Sequence, residues 1–173
     1  MPAISETPTN TNFLSPLNFK FQISRAPSVN FFIQKVNIPG FSLPDINVNN
    51  PLLRIPYPGE HLLYDELSIT YKVDENLQNY MEIFNWLKAI GKQDYAEYKQ
   101  ISEQPSYSGD GVYSDITLSV LTSERNPHYD IVFHDAFPVM IASLEFDSTL
   151  QDVIYLETSV KFRYTYYDIQ KVS

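Results

Sequence analysis

The sequence contains no cysteine among its 173 residues, so disulfide bonds and thiolate metal sites are excluded. No apolar run approaches the ~20 residues that a membrane-spanning helix needs. The opening stretch, MPAISETPTNTN, lacks the basic start and the apolar segment of a signal peptide. We therefore expect no membrane contact and a protein that matures inside the cell that makes it.

Positive charge is also scarce. The chain has 12 Lys and Arg residues against 21 Asp and Glu, which gives a formal net charge of −9. Proteins that bind nucleic acid tightly cluster Lys and Arg against the phosphates. The composition thus argues against specific nucleic-acid binding, but it allows a surface past which nucleic acid moves without being held.

Glycine is rare, with five residues, whereas proline occurs 12 times. This balance favours stiff, ordered connections over flexible linkers. The hydrophobic fraction is 43%, and nearly all aromatic residues are Phe or Tyr, which prefer strands. We predict a mobile polar tail over residues 1–12 and a single mainly β domain over residues 13–173.

Alternation of apolar and polar residues, the period of a strand with one buried face, recurs along the chain. It predicts strands at 17–25, 29–38, 66–73, 114–124, 129–137, 138–148 and, from residue 159, a long closing strand. The short link APS between the first two predicts a β-hairpin. The fold class expected is an antiparallel β-sandwich or barrel with one flanking α-helix and a long proline-rich excursion.

The flanking helix is predicted over ENLQNYMEIFNWLKAIG, with Asp74 as its N-cap and Gly91 as its C′ residue. Its core-facing stripe is expected to contain Leu77, Met81, Phe84 and Leu87, joined by Tyr80, Ile83 and Ile90. We interpret Trp86 as core packing rather than as a ligand contact. Residues 92–112 have no clean period and are expected to form a surface connection.

The excursion follows the second predicted strand. It contains Pro39, Pro44, Pro51, Pro56 and Pro58, and these exclude a central strand because proline donates no backbone hydrogen bond. It is nevertheless too apolar for an ordinary exposed loop. Its apolar residues are Phe41, Leu43, Ile46, Val48, Leu52, Leu53, Ile55 and Tyr57. Residues 41–58 are therefore either an arm that contacts a neighbouring subunit or a segment folded back over its own core.

The closing strand, SVKFRYTYYDI, has two faces of different character. Val160, Phe162, Tyr164 and Tyr166 alternate with Ser159, Lys161, Arg163 and Thr165. The first set is expected to pack on the core. The second set is expected to face a lumen or a neighbouring subunit.

Catalytic machinery is not evident in the sequence. There is no Cys nucleophile, no G-x-S-x-G turn, no phosphate-binding glycine loop and no acidic pair placed for acid–base chemistry. His128 and His134 lie near Asp130 and Asp135, but alternation with Ile131 and Phe133 places His134 and Asp130 on a solvated face. We predict a protein that is not an enzyme, with no catalytic residue, no cofactor and no metal.

Several phrases, in their order along the chain, carry a resemblance. They are VNIPGFSLPDINV, PGEHLLYDELSITYKVDEN, MEIFNWL and the closing block IVFHDAFPVMIASLEFDSTLQDVIYLETSVKFRYTYYDI. Over residues 17–168 the chain resembles the tail tube protein family of contractile-tailed bacteriophages. Tube-initiator and tube-terminator proteins share the fold of that family.

The resemblance implies a structural virion protein that forms stacked hexameric rings, a conduit for DNA ejection inside the contractile sheath. It implies that the protein binds further copies of itself and the tail sheath, baseplate and neck proteins. DNA would pass through the lumen without specific binding. The protein would be assembled in the host cytoplasm and reside in the tail of the virion.

On this resemblance, the eight apolar residues of the arm are expected at the subunit interface. Lys161 and Arg163 are expected there as well, paired with carboxylates of a neighbour. An alternative within the same fold is a tube-initiating baseplate or neck ring protein. An alternative of another class is a monomeric β-sandwich binding module, for example for carbohydrate.

Overall fold

Antiparallel strands form most of the protein in the computed structural model. The structure describes residues 13–49, 52–92, 95–103, 111–149 and 154–172, so the predicted tail at 1–12 lies outside it. The strands are β1 (Phe19–Ile23), β2 (Ile33–Val36), β3 (Phe41–Ser42), β4 (Asp45–Asn49), β5 (Arg54–Pro58), β6 (Leu63–Tyr64), β7 (Leu67–Lys72), β8 (Ser114–Leu121), β9 (Pro127–Ile141), β10 (Glu157–Arg163) and β11 (Tyr166–Lys171). The helices are α1 (Pro27–Asn30), α2 (Gln78–Ile90) and α3 (Tyr95–Ser102).

Two antiparallel sheets share the long strand β9. The first has the order β1-β8-β9-β11, and the second has the order β9-β10-β7-β2. This confirms the mainly β, antiparallel fold class. The sheets do not close into a barrel, because among the described strands β1 and β2 each have a neighbour on one side only.

Strand β9 passes from one sheet to the other at Asp135. Strand β9 pairs with β11 up to His134 and with β8 up to Ala136, and from Phe137 onward it pairs with β10. Asp135 has φ 54°, a left-handed conformation that Asp tolerates better than most residues. The two strands predicted at 129–137 and 138–148 are therefore wrong as separate elements. Pro138 fits within β9 because that half pairs only with β10.

The segment after β9 does not form the strand expected at LEFD. Residues 142–147 are irregular, and Phe146 is exposed. The predicted closing strand is also divided, because Tyr164 and Thr165 separate β10 from β11. The break lies beside the bend in β9, where the Thr165 N–H donates to the His134 carbonyl at 3.0 Å. A strand that follows a bent partner must bend with it.

The predicted hairpin between β1 and β2 is wrong, because β1 pairs with β8 and β2 pairs with β7. Helix α1 separates them and begins with Pro27, which suits a first helical turn. The Asn30 side chain then bonds both the N–H and the carbonyl of Ile23, at 2.8 and 3.2 Å. The fully buried Val29 holds this turn on the core, so the chain leaves one sheet and enters the other.

The core is one cluster that draws on both sheets and on α2. Ile23, Phe133, Ile69 and Phe162 are fully buried in it, and Trp86 is 3% exposed. The indole N–H of Trp86 donates to the Val112 carbonyl at 2.9 Å. The interpretation of Trp86 as core packing agrees with its burial and this hydrogen bond.

None of the helices in the described ranges is long and apolar enough to cross a bilayer.

The buried stripe of helix α2 overlaps the predicted stripe only in part, since Ile83 is buried and Ile90 packs against the core as predicted. Its buried residues are Asn79, Ile83, Trp86 and Ala89, whereas Met81 and Phe84 of the predicted stripe are 44% and 41% exposed. Both stripes have helical spacing, so period alone does not choose between them. The large Trp86 ring, which needs both cover and an acceptor for its N–H, occupies the core side.

The ends of α2 also differ from prediction. Its N-cap is Leu77 at φ 57°, and Asp74 instead donates its backbone N–H to the Asn79 side chain at 3.1 Å. Gly91 has a right-handed φ of −68°, while Lys92 takes the left-handed φ of 54°. The expectation of a single helix is wrong, because α1 and α3 are also present. Helix α3 occupies part of the 92–112 segment that was predicted to be a connection.

Candidate subunit interface

The arm, residues 41–58, contains a two-stranded β-hairpin. Strand β4 pairs with β5 so that Ile46 lies opposite Tyr57 and Val48 lies opposite Ile55. Partners in register share a face, so these four side chains form one apolar face of the hairpin. The opposite face contains prolines and polar residues, and a hairpin with no third strand tolerates prolines that donate no hydrogen bond. Pro51 lies outside the described residues.

No described part of the chain covers this apolar face. Ile46, Val48, Ile55 and Tyr57 are 57%, 48%, 37% and 53% exposed. The other predicted interface residues of the arm, Phe41, Leu43, Leu52 and Leu53, are exposed as well. The interpretation of an arm folded back over its own core is therefore wrong. A lone two-stranded hairpin is marginally stable in water, so the arm lacks the cover that a stable hairpin needs.

The base of the arm is narrow and is held by backbone hydrogen bonds. The Gly59 N–H donates to the Pro44 carbonyl at 2.7 Å, which closes the hairpin. A Cβ on Gly59 would lie 2.4 Å from that carbonyl oxygen, so the close approach requires glycine. Beneath it, β3 pairs with β6, and the Asp65 N–H donates to the Gly40 carbonyl at 3.0 Å.

Two tyrosines, one just before β11 and one within it, attach the base of the arm to the two main sheets. The Tyr164 hydroxyl donates to the Asp65 carbonyl at 2.9 Å, and the Tyr167 hydroxyl donates to the Pro39 carbonyl at 3.2 Å. Both rings lie about 6 Å from the ring of Tyr64, and both contact Phe133 in the core. Burial raises the pKa of Tyr164 to about 12, so its phenol stays a hydrogen-bond donor at neutral pH. These contacts set the direction in which the arm leaves the domain.

Lys161 and Arg163 lie beside the base of the arm and share one carboxylate. The Lys161 Nζ lies 3.1 Å from Glu66, and the Arg163 Nε lies 3.5 Å from it. Glu66 directly follows Asp65, the acceptor of the Tyr164 hydroxyl. The partner that the sequence suggested in a neighbouring subunit is thus present in the same chain. Both cations remain exposed, so their place in an interface stays a prediction.

The shared carboxylate should titrate abnormally. The hydrogen bond from Lys161, followed by the charges of Lys161 and Arg163, holds the pKa of Glu66 below its ordinary value. We expect Lys161→Met to raise the pKa of Glu66 more than Arg163→Met does, as measured by NMR titration of the side-chain carboxyl carbon. Because the folded pKa is lowered, the pair stabilises the fold above the unfolded pKa and ceases to do so as pH falls through the folded one. Equal increases in the pKa of Glu66 in the two variants would contradict the expectation that Lys161 has the larger effect.

His134, which the sequence placed near two Asp residues, lies between strands β8 and β11. His134 Nδ1 is 3.9 Å from Asp115 on β8, and His134 Nε2 is 3.6 Å from Asp168 on β11. The ring of Tyr166 lies 4.7 Å away, so His134 is half-buried rather than on a freely solvated face. Within the described ranges, no group of three or more His, Asp or Glu side chains is placed to hold a metal ion.

Sequence reasoning placed the arm but missed the residues that hold it. Gly59, Tyr164 and Tyr167 have structural roles at its base. The available signal was the density of Tyr residues at the end of the closing strand. That signal was interpreted as core packing alone, since nothing in a local pattern places Tyr167 against Pro39, 128 residues away.

Comparison with known proteins decides the family. The family model described as phage tail tube protein matches residues 4–170. The chain belongs to this family. It is therefore a structural protein of the phage tail and not an enzyme, which confirms the resemblance found in the sequence.

A curated relative and two solved structures add detail. The relative is the tail tube terminator protein of Enterobacteria phage T4, 25% identical over 169 residues that cover 92% of this chain and 90% of the relative. A chain in the six-fold symmetrised baseplate of the anti-feeding prophage is 11% identical with a TM-score of 0.63, covering 94% of this chain and 97% of that one. A chain in the extended sheath–tube complex of PVC, an extracellular contractile injection system, is 16% identical with the same TM-score of 0.63. That match covers 96% of this chain and 100% of the other, and both structures show a shared fold.

Proposed function

We propose that the protein assembles into a hexameric ring at the end of the phage tail tube, as a tube terminator. The observation that carries the assembly is the exposed apolar face of the arm, formed by Ile46, Val48, Ile55 and Tyr57. The terminal position is supported by the tube terminator of phage T4, which aligns over 92% of this chain.

A ring follows from the kind of contact the arm makes. The arm is a projecting surface, and it must bind a different, receiving surface on the next subunit. Such head-to-tail contacts close into a ring when the rotation between subunits divides a full turn. Six subunits agree with the six-fold symmetry of the baseplate that contains a structural neighbour. Lys161 and Arg163 border the base of the arm and are proposed to lie at the edge of the same interface.

The remaining partners follow from the position in the tail. A ring at the end of the tube would contact the last tube ring, the tail sheath and the neck proteins, with assembly in the host cytoplasm. DNA would pass through the lumen without specific binding. The net charge of −9 supports this, because a chain poor in clustered Lys and Arg does not retain phosphates.

A second candidate is the repeating subunit of the tube itself. The matched family is described as the tail tube protein, and its model covers residues 4–170. In this case hexameric rings of the protein would stack along the whole tail inside the sheath. A baseplate initiator would share the hexameric ring but lie at the opposite end of the tube.

Copy number per virion separates these candidates. Quantitative mass spectrometry of purified tails of two different lengths should find the same small copy number in both, equal to one ring, for a terminator. Antibody labelling seen by electron microscopy should mark the head-proximal end. A copy number that rises with tail length would identify the repeating subunit, and label at the baseplate would identify an initiator. Absence of the protein from purified tails, together with a persistent monomer at high concentration, would contradict every ring-forming role and favour a binding module.

A further inference from the structure

The molecule has a second exposed apolar surface, which the sequence did not suggest. A groove of about 640 Å³ lies between the start of α2 and the segments that flank β10. Phe146 and Tyr155 in its wall are 77% and 68% exposed, and Ile154 and Leu77 are exposed beside them. Contiguous apolar surface of this kind marks an interaction site more often than a solvated face.

The charged residues of this groove are acidic on balance. Asp74 and Glu75 line it, and Glu75 is exposed. Lys72 is the one cation among the described lining residues, and its ammonium lies 5.2 Å from the centre of the Tyr155 ring, so the carboxylates outnumber it by two to one. The tip of the arm has the complementary character, since the exposed leucines at 52 and 53 are followed directly by the exposed cation Arg54. An apolar tip next to one cation therefore matches an apolar groove whose lining has two carboxylates and one cation.

A competing apolar surface exists between the edge strands β1 and β2. Leu17 and Phe31 are strongly exposed there. This surface is flanked by Lys20 and Lys35, so an approaching Arg54 would meet like charge rather than opposite charge. Electrostatics thus favours the acidic groove as the receiver of the arm tip.

We propose that the arm tip of one copy docks in the acidic groove of a second copy of this chain. Leu52 and Leu53 would pack against Phe146 and Tyr155, and Arg54 would face Glu75. Within one copy both surfaces are exposed, so the contact requires a neighbour. The inference rests on the proposed ring assembly and names the surface that receives the arm. Because tip and groove are different surfaces, each subunit offers one of each, as a closed ring requires.

Disulfide trapping tests this contact directly, because the chain has no cysteine of its own. Leu53→Cys protein is mixed with Tyr155→Cys protein under oxidising conditions that permit assembly. The matched control mixes Leu53→Cys protein with Leu17→Cys protein, which probes the competing surface. We expect at least about tenfold more mixed disulfide in the first mixture, since a disulfide forms only where the two Cα atoms approach to about 4.4–6.8 Å.

Electron microscopy of the same samples distinguishes failure of the docking contact from failure of ring assembly. Rings without preferential cross-linking at Tyr155→Cys would overturn the docking contact and leave the ring intact as a proposal. Preferential cross-linking to Leu17→Cys would assign the arm to the β1–β2 surface and overturn the inference. Absence of rings from the unmodified protein, with no cross-link in either mixture, would contradict both the ring and the contact.

A charge-reversal cycle supplies an independent readout. Arg54→Glu and Glu75→Arg are each expected to lower the assembled fraction by about tenfold in sedimentation, since each places like charges together. The double variant should recover to within about threefold of the unmodified protein. Both residues are exposed, and circular dichroism of each variant confirms folding. A double variant no better than the weaker single variant would overturn the pairing.

Discussion

Replacing residues 45–58 with a single glycine is expected to abolish ring assembly while leaving the subunit folded. The Gly59 N–H and the Pro44 carbonyl are 2.7 Å apart, so one residue between them can close a three-residue turn without moving the sandwich. None of the removed side chains that the structure describes belongs to the core cluster. Loss of four half-exposed apolar side chains from an interface should weaken association by on the order of 100-fold or more.

Two point variants on opposite faces of the hairpin provide the matched control. Val48→Ser removes part of the apolar face, whereas Asn47→Ala changes the opposite face of the same strand. Sedimentation velocity should show impaired assembly for Val48→Ser and assembly close to that of the unmodified protein for Asn47→Ala. Thermal unfolding of the monomers should be nearly unchanged in all three variants. Normal rings from the deletion variant, or equal effects on the two faces, would refute the role of the arm.

Trp86→Ala is expected to lower the free energy of unfolding by about 3–5 kcal/mol, because it empties a large buried site. The indole is 3% exposed, and its N–H donates to the Val112 carbonyl at 2.9 Å. Its ring lies 6.0 Å from that of Phe162, and the Arg25 guanidinium lies 5.4 Å above it. One side chain therefore joins α2 to the second sheet and to the segment before β8.

Phe84→Ala, on the same helix, is the control for this prediction. Phe84 is 41% exposed, so its removal should cost less than about 1.5 kcal/mol. Urea unfolding followed by circular dichroism measures both variants, since Trp86 is the only tryptophan and its loss removes the fluorescence signal. Equal losses of unfolding free energy in the two variants would contradict the assignment of Trp86 to the core and of Phe84 to the exposed side of α2.

Strand positions were largely predictable, whereas strand partners were not. Alternation located β1, β7 and β8 because each has one mostly buried face, and period two is the direct signature of such a face. The same pattern led to a wrong hairpin between β1 and β2. Pairing depends on residues far apart, such as Phe21 opposite Leu118, and no local period records them.

The candidate interface likewise has features that the sequence predicts and others that depend on the pairing of its strands. Prolines and apolar residues in one segment are enough to predict that residues 41–58 are neither a central strand nor an ordinary loop. Which side chains share the apolar face depends on the register of β4 against β5. The role expected for Lys161 and Arg163 changed because Glu66 lies beside them on the neighbouring strand edge.

The sequence by itself determined the class of protein. The repeated alternation and the proline-broken apolar segment led to a mainly β fold with an apolar arm, and the resemblance to the tail tube family led to a structural protein. Only the tertiary structure decided that the arm projects uncovered, that Tyr164 and Tyr167 hold its base and that an acidic apolar groove lies elsewhere on the domain. Composition and period are properties of neighbours along the chain. Exposure and docking depend on contacts between distant residues, which exist only once the sheets are formed.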